Sequence, residues 1–266
     1  MTSRKPLRRG PLVAVLAAAV LGLAPLAPAA AAPADPTVVL VHGAFADASS
    51  WDGVVAELRE RGYRVVTVDN PLRGPGNDAQ AVQRVLDTID GPVVLVGHSY
   101  GGAVITNTHD DKVKANVYIA AFAPAEGEFV QGLLSPIQFP GSRILPPALQ
   151  LKPVTGGVDG FIAEEYFHEI FAQDVSASTA ATMFDHQNSA ALWANLEPSG
   201  KPSWATTPSW YLLSKDDRVI PAASQRFMAS RAAPGATTEI DASHASLVSQ
   251  PAVVADTIQA AVTASR

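Results

Sequence analysis

Six short runs, mostly β-branched or apolar, constrain what this chain can fold into. They lie at 37–41 (TVVLV), 64–68 (RVVTV), 92–96 (PVVLV), 116–121 (NVYIAA), 209–213 (SWYLL) and 237–240 (TTEI). Most lack the polar alternation of a strand with one wet face. Strands buried on both faces look like this, which predicts a parallel sheet. Helical patterns fall between them. Trp51, Val54, Val55 and Leu58 sit at i, i+3, i+4 and i+7, with Ser49 or Ser50 as N-cap and Gly62 as stop. Val82, Val85, Leu86 and Ile89 repeat the spacing. The tail starts at Pro251, a first-turn residue, and carries Val254, Ile258 and Val262 on one stripe. Strand–helix alternation predicts an α/β domain with a mostly parallel, doubly wound sheet of about six strands. Ligands are then expected at the carboxyl ends of the strands.

The alternation fails between 124 and 206, where no convincing strand is found. Pro136, Pro140, Pro146 and Pro147 break up its first part, and Phe161, Ile162, Tyr166, Phe167, Ile170 and Phe171 give an apolar helix. The expectation is a helical cap inserted over 124–206 in a domain spanning 35–266.

Residues 1–34 have a different character. Arg4, Lys5, Arg8 and Arg9 precede an uncharged run at 11–26, and small residues follow at Ala29–Ala32 and Ala34. This is the order of a secretory signal peptide, with cleavage near 31–34. The run is short for the ~20 residues of a membrane span, and Pro25 and Pro28 interrupt its end, so no stable membrane anchor is expected. Localisation is expected to be secreted or periplasmic. Removing the leader takes away four cations and no anions, which leaves 15 basic against 25 acidic residues. A surface that acidic does not fit nucleic acid as a partner. Cys is absent, which excludes disulfides, a thiolate nucleophile and Cys-ligated zinc.

Candidate chemistry begins directly after PVVLV, where Gly97-His98-Ser99-Tyr100-Gly101 is followed by Gly102 and a helix-compatible stretch. A G-x-S-x-G string alone is weak. Between a buried strand and a helix it has the context of a nucleophile elbow, whose tight turn demands small residues two before and two after the serine. A serine hydroxyl needs a base held by a third group. An acid pair, Asp216-Asp217, lies just beyond the run at 209–213, and His244 just beyond the run at 237–240. Both therefore fall at the edge of the sheet where the serine sits. Val41-His42-Gly43-Ala44-Phe45 ends the first strand and can supply a second oxyanion N–H. Ala44 and Tyr100 are the candidate donors, and His42 a brace for the loop.

LVHGAF, VGHSYGG, DDRVIP and SHASLVSQP together resemble the α/β-hydrolase superfamily, in the small serine esterase branch that includes plant methylesterases and hydroxynitrile lyases. The resemblance covers about 37–261. It implies Ser99 as nucleophile, His244 as base and Asp217 as acid, with Asp216 in reserve. Haloalkane dehalogenases and epoxide hydrolases of this fold use an aspartate nucleophile, which Ser99 argues against. Hydroxynitrile lyases place a lysine after the catalytic histidine, where this chain has Ala245. The expected activity is hydrolysis of a small-molecule carboxylic ester, apolar or aromatic, with no cofactor. The same triad also serves lactone, amide and carbon–carbon hydrolysis and perhydrolysis. The fold further includes non-catalytic hormone receptors, against which an intact triad argues. Phe45, Phe161 and Tyr166 are candidate pocket residues. Asp185-His186 lacks a second ligand pair at zinc-like spacing, so no metal is expected.

Overall fold

In the computed structural model, all six runs become strands of one parallel sheet. Residues 1–2 and 35–266 are described, so the expected leader lies, apart from its first two residues, outside them. Residues 35–266 fall within one compact unit, Pro33–Arg266. The strands are β1 (Thr37–Val41), β2 (Val65–Val68), β3 (Val93–His98), β4 (Val113–Ile119), β8 (Ser209–Ser214) and β9 (Thr237–Ile240), in spatial order β2-β1-β3-β4-β8-β9. Every pairing is parallel.

The two faces of the sheet build separate cores, because strand side chains alternate. Val38, Leu40, Val94 and Val96 pack with Trp51, Val54 and Leu58 of the α1 side (α1, Asp52–Glu60) and with Val254, Ile258 and Val262 of α8 (Pro251–Ala264). Val39, Val41, Val93 and Leu95 face α2 (Pro75–Leu86), α3 (Tyr100–Thr106) and α6 (Ala222–Ala232). Parallel strands all end on one edge, so the loops after β1, β3, β8 and β9 converge there.

The insertion between β4 and β8 corrects the expectation of a cap without strands. It holds a three-stranded antiparallel sheet of β5 (Leu149–Val154), β6 (Gly157–Ile162) and β7 (Ala190–Ala191), beside α4 (Glu164–Phe171) and α5 (Ala177–Asp185). The hairpin turns at Thr155-Gly156, where Gly156 takes φ +87. Residues 150–153 of β5 are exposed, so this strand carries no buried-strand signature; backbone pairing to β6 defines it. Phe161 and Ile162 therefore close β6 rather than start the helix.

The cap is tied to the core by Arg73, whose guanidinium makes a bidentate pair with the buried Asp159 at 2.6 and 2.7 Å. Ser189 donates to the same carboxylate, and Ala191 N–H bonds Leu72 O. The short 3-10 turn before α1 (Ala48–Trp51) and the short α7 (Ser246–Ser249) pack against each other and against α1. Among the described residues no helix is long and apolar enough to cross a membrane.

Candidate active site

Ser99 occupies the turn from β3 into α3 at φ 53, ψ −123, a conformation costly for a side-chain-bearing residue. Packing forces it. A Cβ on Gly97 would lie 2.6 Å from Gly101 O, so neither position of the crossing tolerates bulk. Ser99 O is held by the N–H groups of Gly102 and Phe122, each at 3.0 Å. The hydroxyl is thereby lifted off the strand end, and Gly43 lies so close that a Cβ there would sit 2.7 Å from Ser99 Cβ.

Ser99 Oγ lies 2.8 Å from His244 Nε2, and His244 Nδ1 lies 2.7 Å from Asp217 Oδ2. A carboxylate only accepts, so Nδ1 carries the proton and Nε2 presents its lone pair to the serine hydroxyl. All three residues are buried. Asp217 is held in place: its Oδ1 accepts from Val219 N (2.7 Å) and Ile220 N (2.8 Å). The neighbouring Asp216 is exposed, and no hydrogen bond among the described residues joins it to His244, so burial and contact separate the two adjacent acids.

Three further residues surround this relay. Gln225, fully buried on α6, donates through Nε2 to Asp217 Oδ2 at 2.8 Å, the same oxygen that faces His244. Its amide also donates to Ile220 O and accepts from Ser214 N. Phe171, the last residue of α4, sets its ring edge against the His244 imidazole at 4.8 Å between centroids. His98 donates from Nε2 to His244 O at 2.9 Å, its ring 4.8 Å from the His244 ring. Burial holds His98 well below the usual histidine range, so it adds no positive charge beside the base. Sequence reasoning missed Gln225 and Phe171 as site residues. The only trace of Gln225 in the chain is a polar residue on the face α6 buries.

The loop after β1, the expected oxyanion side, is braced by its own hydrogen bonds. His42 is lowered by burial and stays neutral; its Nδ1–H donates to Gly43 O while Nε2 accepts from Asn70 N, which braces the loop. Phe45, at φ 63, spends its N–H on Asn188 O of the cap at 3.1 Å. No hydrogen bond among the described residues uses the N–H of Ala44 or Tyr100, the two expected donors. The Tyr100 phenol is anchored instead: it donates to Asp78 Oδ2 (2.9 Å) and accepts from Gly74 N (3.1 Å). Burial drives it far above the usual tyrosine range, so it is no proton donor to substrate.

A cavity of about 50 Å³ adjoins Ser99, walled by Phe45, Phe122, Leu134, Ile144, Leu149 and Val219. Phe45 lines it as expected, but Phe161 and Tyr166 do not. In β6 the pocket side belongs to Gly160, and period-two alternation turns Phe161 to the other face. In α4 the buried stripe is Phe167, Ile170 and Phe171, which leaves Tyr166 on the flank.

A family model described as the alpha/beta hydrolase family matches residues 38–257. The chain belongs to the alpha/beta hydrolase family. It is 31% identical over 242 residues to a pyrethroid hydrolase of Sphingobium wenxiniae, covering 83% of this chain and 85% of that protein. It is 25% identical over 247 residues to methylesterase 8 of Arabidopsis thaliana, covering 82% and 86%. Among solved structures, a pyrethroid hydrolase from Sphingobium faniae superposes with a TM-score of 0.73 at 26% identity, covering 86% of this chain and 98% of that one. These relatives are esterases and hydrolases, and this family member is accordingly a hydrolase of the serine esterase type.

Proposed function

We propose that this hydrolase is exported and cleaves uncharged apolar or aromatic carboxylic esters through an acyl-enzyme on Ser99. The observation that carries this is the continuous relay from Ser99 Oγ through His244 to Asp217, at 2.8 and 2.7 Å. In the first half-reaction Ser99 Oγ attacks the ester carbonyl while His244 Nε2 takes its proton. Asp217 stabilises the imidazolium that forms. The N–H groups of Ala44 and Tyr100 receive the developing oxyanion, a contribution of about 10²–10³ in rate per donor in comparable sites. His244 then protonates the departing alkoxide, and water, deprotonated by the same base, releases the acid. The apolar walls beside Ser99 favour uncharged substituents. The pyrethroid-cleaving and methyl-ester-cleaving relatives fit that substrate class by name.

Turnover of p-nitrophenyl acetate and of methyl arylacetates by the chain lacking residues 1–34 tests the chemistry. A single organophosphate adduct on Ser99, seen by intact mass, locates the nucleophile. An unlabelled Ser99, or undiminished turnover by Ser99→Ala, overturns the mechanism. Export rests on the charged, apolar, small-residue order of 1–34. Mass analysis of culture-medium protein should find an N-terminus near 32–35; retention of the intact chain in cells overturns it.

A further inference from the structure

Around Ser99 there is little room. The cavity of about 50 Å³ holds a small substituent, not both halves of a bulky ester. A second and larger space begins at the same Phe45. It is a cleft of about 390 Å³ between the loop that follows the oxyanion residue and helix α5 of the cap. That volume lies in the range of small-molecule sites, roughly 300–1,000 Å³.

The walls of the cleft come from the same chain segments that build the site. Phe45 follows Ala44 directly, and Val248 lies one helical turn beyond His244. Opposite them, Thr179, Thr182, Met183 and His186 recur at i, i+3, i+4 and i+7, so one face of α5 and its C-terminal cap is turned to the cleft. This segment is fixed to the oxyanion loop at two points: Phe45 N–H to Asn188 O, and His186 Nδ1 to Asp47 Oδ2 at 3.1 Å. The cleft is thus bounded by fastened elements. Its interior is apolar at Phe45, Met183 and Val248, and its acidic rim is Asp47 and Asp52.

We infer that this cleft is a second subsite of the enzyme, which receives the distal apolar arm of a two-part ester whose carbonyl lies at Ser99. The inference rests on the esterase reading above. Phe45 stands between the two spaces and is contacted from both. The arm carries no negative charge, because a carboxylate entering the cleft would meet Asp47 and Asp52.

The test compares kcat/KM over two series: p-nitrophenyl esters from acetate to decanoate, and acetates of ethyl, benzyl and naphthylmethyl alcohol. Met183→Trp fills the cleft without touching Ser99, and Thr179→Trp does so from the same stripe if the first variant fails to fold. The expected result is ethyl acetate turnover within about twofold of wild type in the filled variant. The long members of at least one series should lose about tenfold or more in kcat/KM, chiefly through KM. The series affected tells whether the arm is acyl or alcohol. A terminal carboxylate on the long arm should cost wild type a similar factor. Wild-type enzyme that turns over p-nitrophenyl acetate yet loses long and short substrates equally on filling overturns the subsite alone. Wild-type enzyme inert on p-nitrophenyl acetate overturns the esterase reading and the subsite with it.

Discussion

Gln225→Leu tests whether the catalytic acid must be oriented from behind. In the native site Asp217 accepts four hydrogen bonds: Val219 N and Ile220 N on Oδ1, and His244 Nδ1 and Gln225 Nε2 on Oδ2. Leucine matches the volume of glutamine but removes the last of these. A hydrogen bond to a charged group contributes about 1.5–3 kcal/mol. If all of it were expressed only in the transition state, kcat would fall by about 10–150-fold. Part is already present in the ground state, and only the difference slows the reaction. The expectation is therefore a fall in kcat of about tenfold, with KM within twofold. Stability should fall too, because Ser214 N–H loses its acceptor. An unsatisfied buried group costs about 1–3 kcal/mol, which in a domain of this size lowers Tm by roughly 2–12 °C. Gln225→Glu separates the two effects. It keeps the acceptor for Ser214 N, and its carboxyl can donate to Asp217 only while protonated. Its kcat relative to wild type should therefore be highest at acid pH and decline as pH rises. Measurements are steady-state p-nitrophenyl acetate kinetics between pH 5 and 9 with thermal melts at each pH. Unchanged kcat in Gln225→Leu, or a pH-independent ratio in Gln225→Glu, refutes the positioning role.

Other outcomes follow from the same geometry. Asp217→Asn should lower kcat by about 10⁴, because an amide can donate to Nδ1 and so favour the wrong tautomer, whereas Asp216→Asn should change it by less than twofold. Phe171→Ala opens a cavity beside His244 and should cost about 3–5 kcal/mol in urea unfolding together with a loss of kcat; retention of both would show that the ring edge is dispensable. Stability should also depend on His42 and His98, whose folded pKa values are both lowered by burial. As pH falls through about 6.5 the unfolded chain takes up these protons first, so stability is fully present above that pH and lost below it. Two such groups give a slope of up to about 2.7 kcal/mol per pH unit, measurable as urea midpoints at pH 7.5, 6.5 and 5.5, and a flat profile would refute it.

Much of this protein is written in local pattern. The runs at 37–41 and 92–96 are almost wholly apolar or β-branched because both faces of those central strands are buried, whereas 237–240 is a largely exposed edge strand marked mainly by its β-branched residues; β1 and β9 begin and end where their runs do. The elbow was legible because a tight strand-to-helix turn needs Gly97 and Gly101 around Ser99, a demand imposed over five consecutive residues. Because parallel strands end on one edge, the acid and histidine just past two later strands could also be placed near that serine.

What the local pattern did not carry is whatever depends on contacts between distant segments or on which way a side chain faces. Asp216 and Asp217 are adjacent and chemically alike; the family resemblance favours Asp217, and the burial of its carboxylate against Gln225 and His244 is what physically separates the two. The β5 strand of the cap hairpin is mostly exposed, so it left no apolar periodicity, and the pleat alone turned Phe161 away from the pocket. Phe171 reaches His244, and α5 faces the oxyanion loop across a cleft, through packing that brings together residues far apart in the chain. Periodicity records how deeply a residue is buried, but not which residue it is buried against. The sequence therefore sufficed for the sheet and for the turn that carries Ser99. The support of the acid exists only once α6 packs against the loop after β8, and the shape of the space around the ester only once the cap covers the sheet edge.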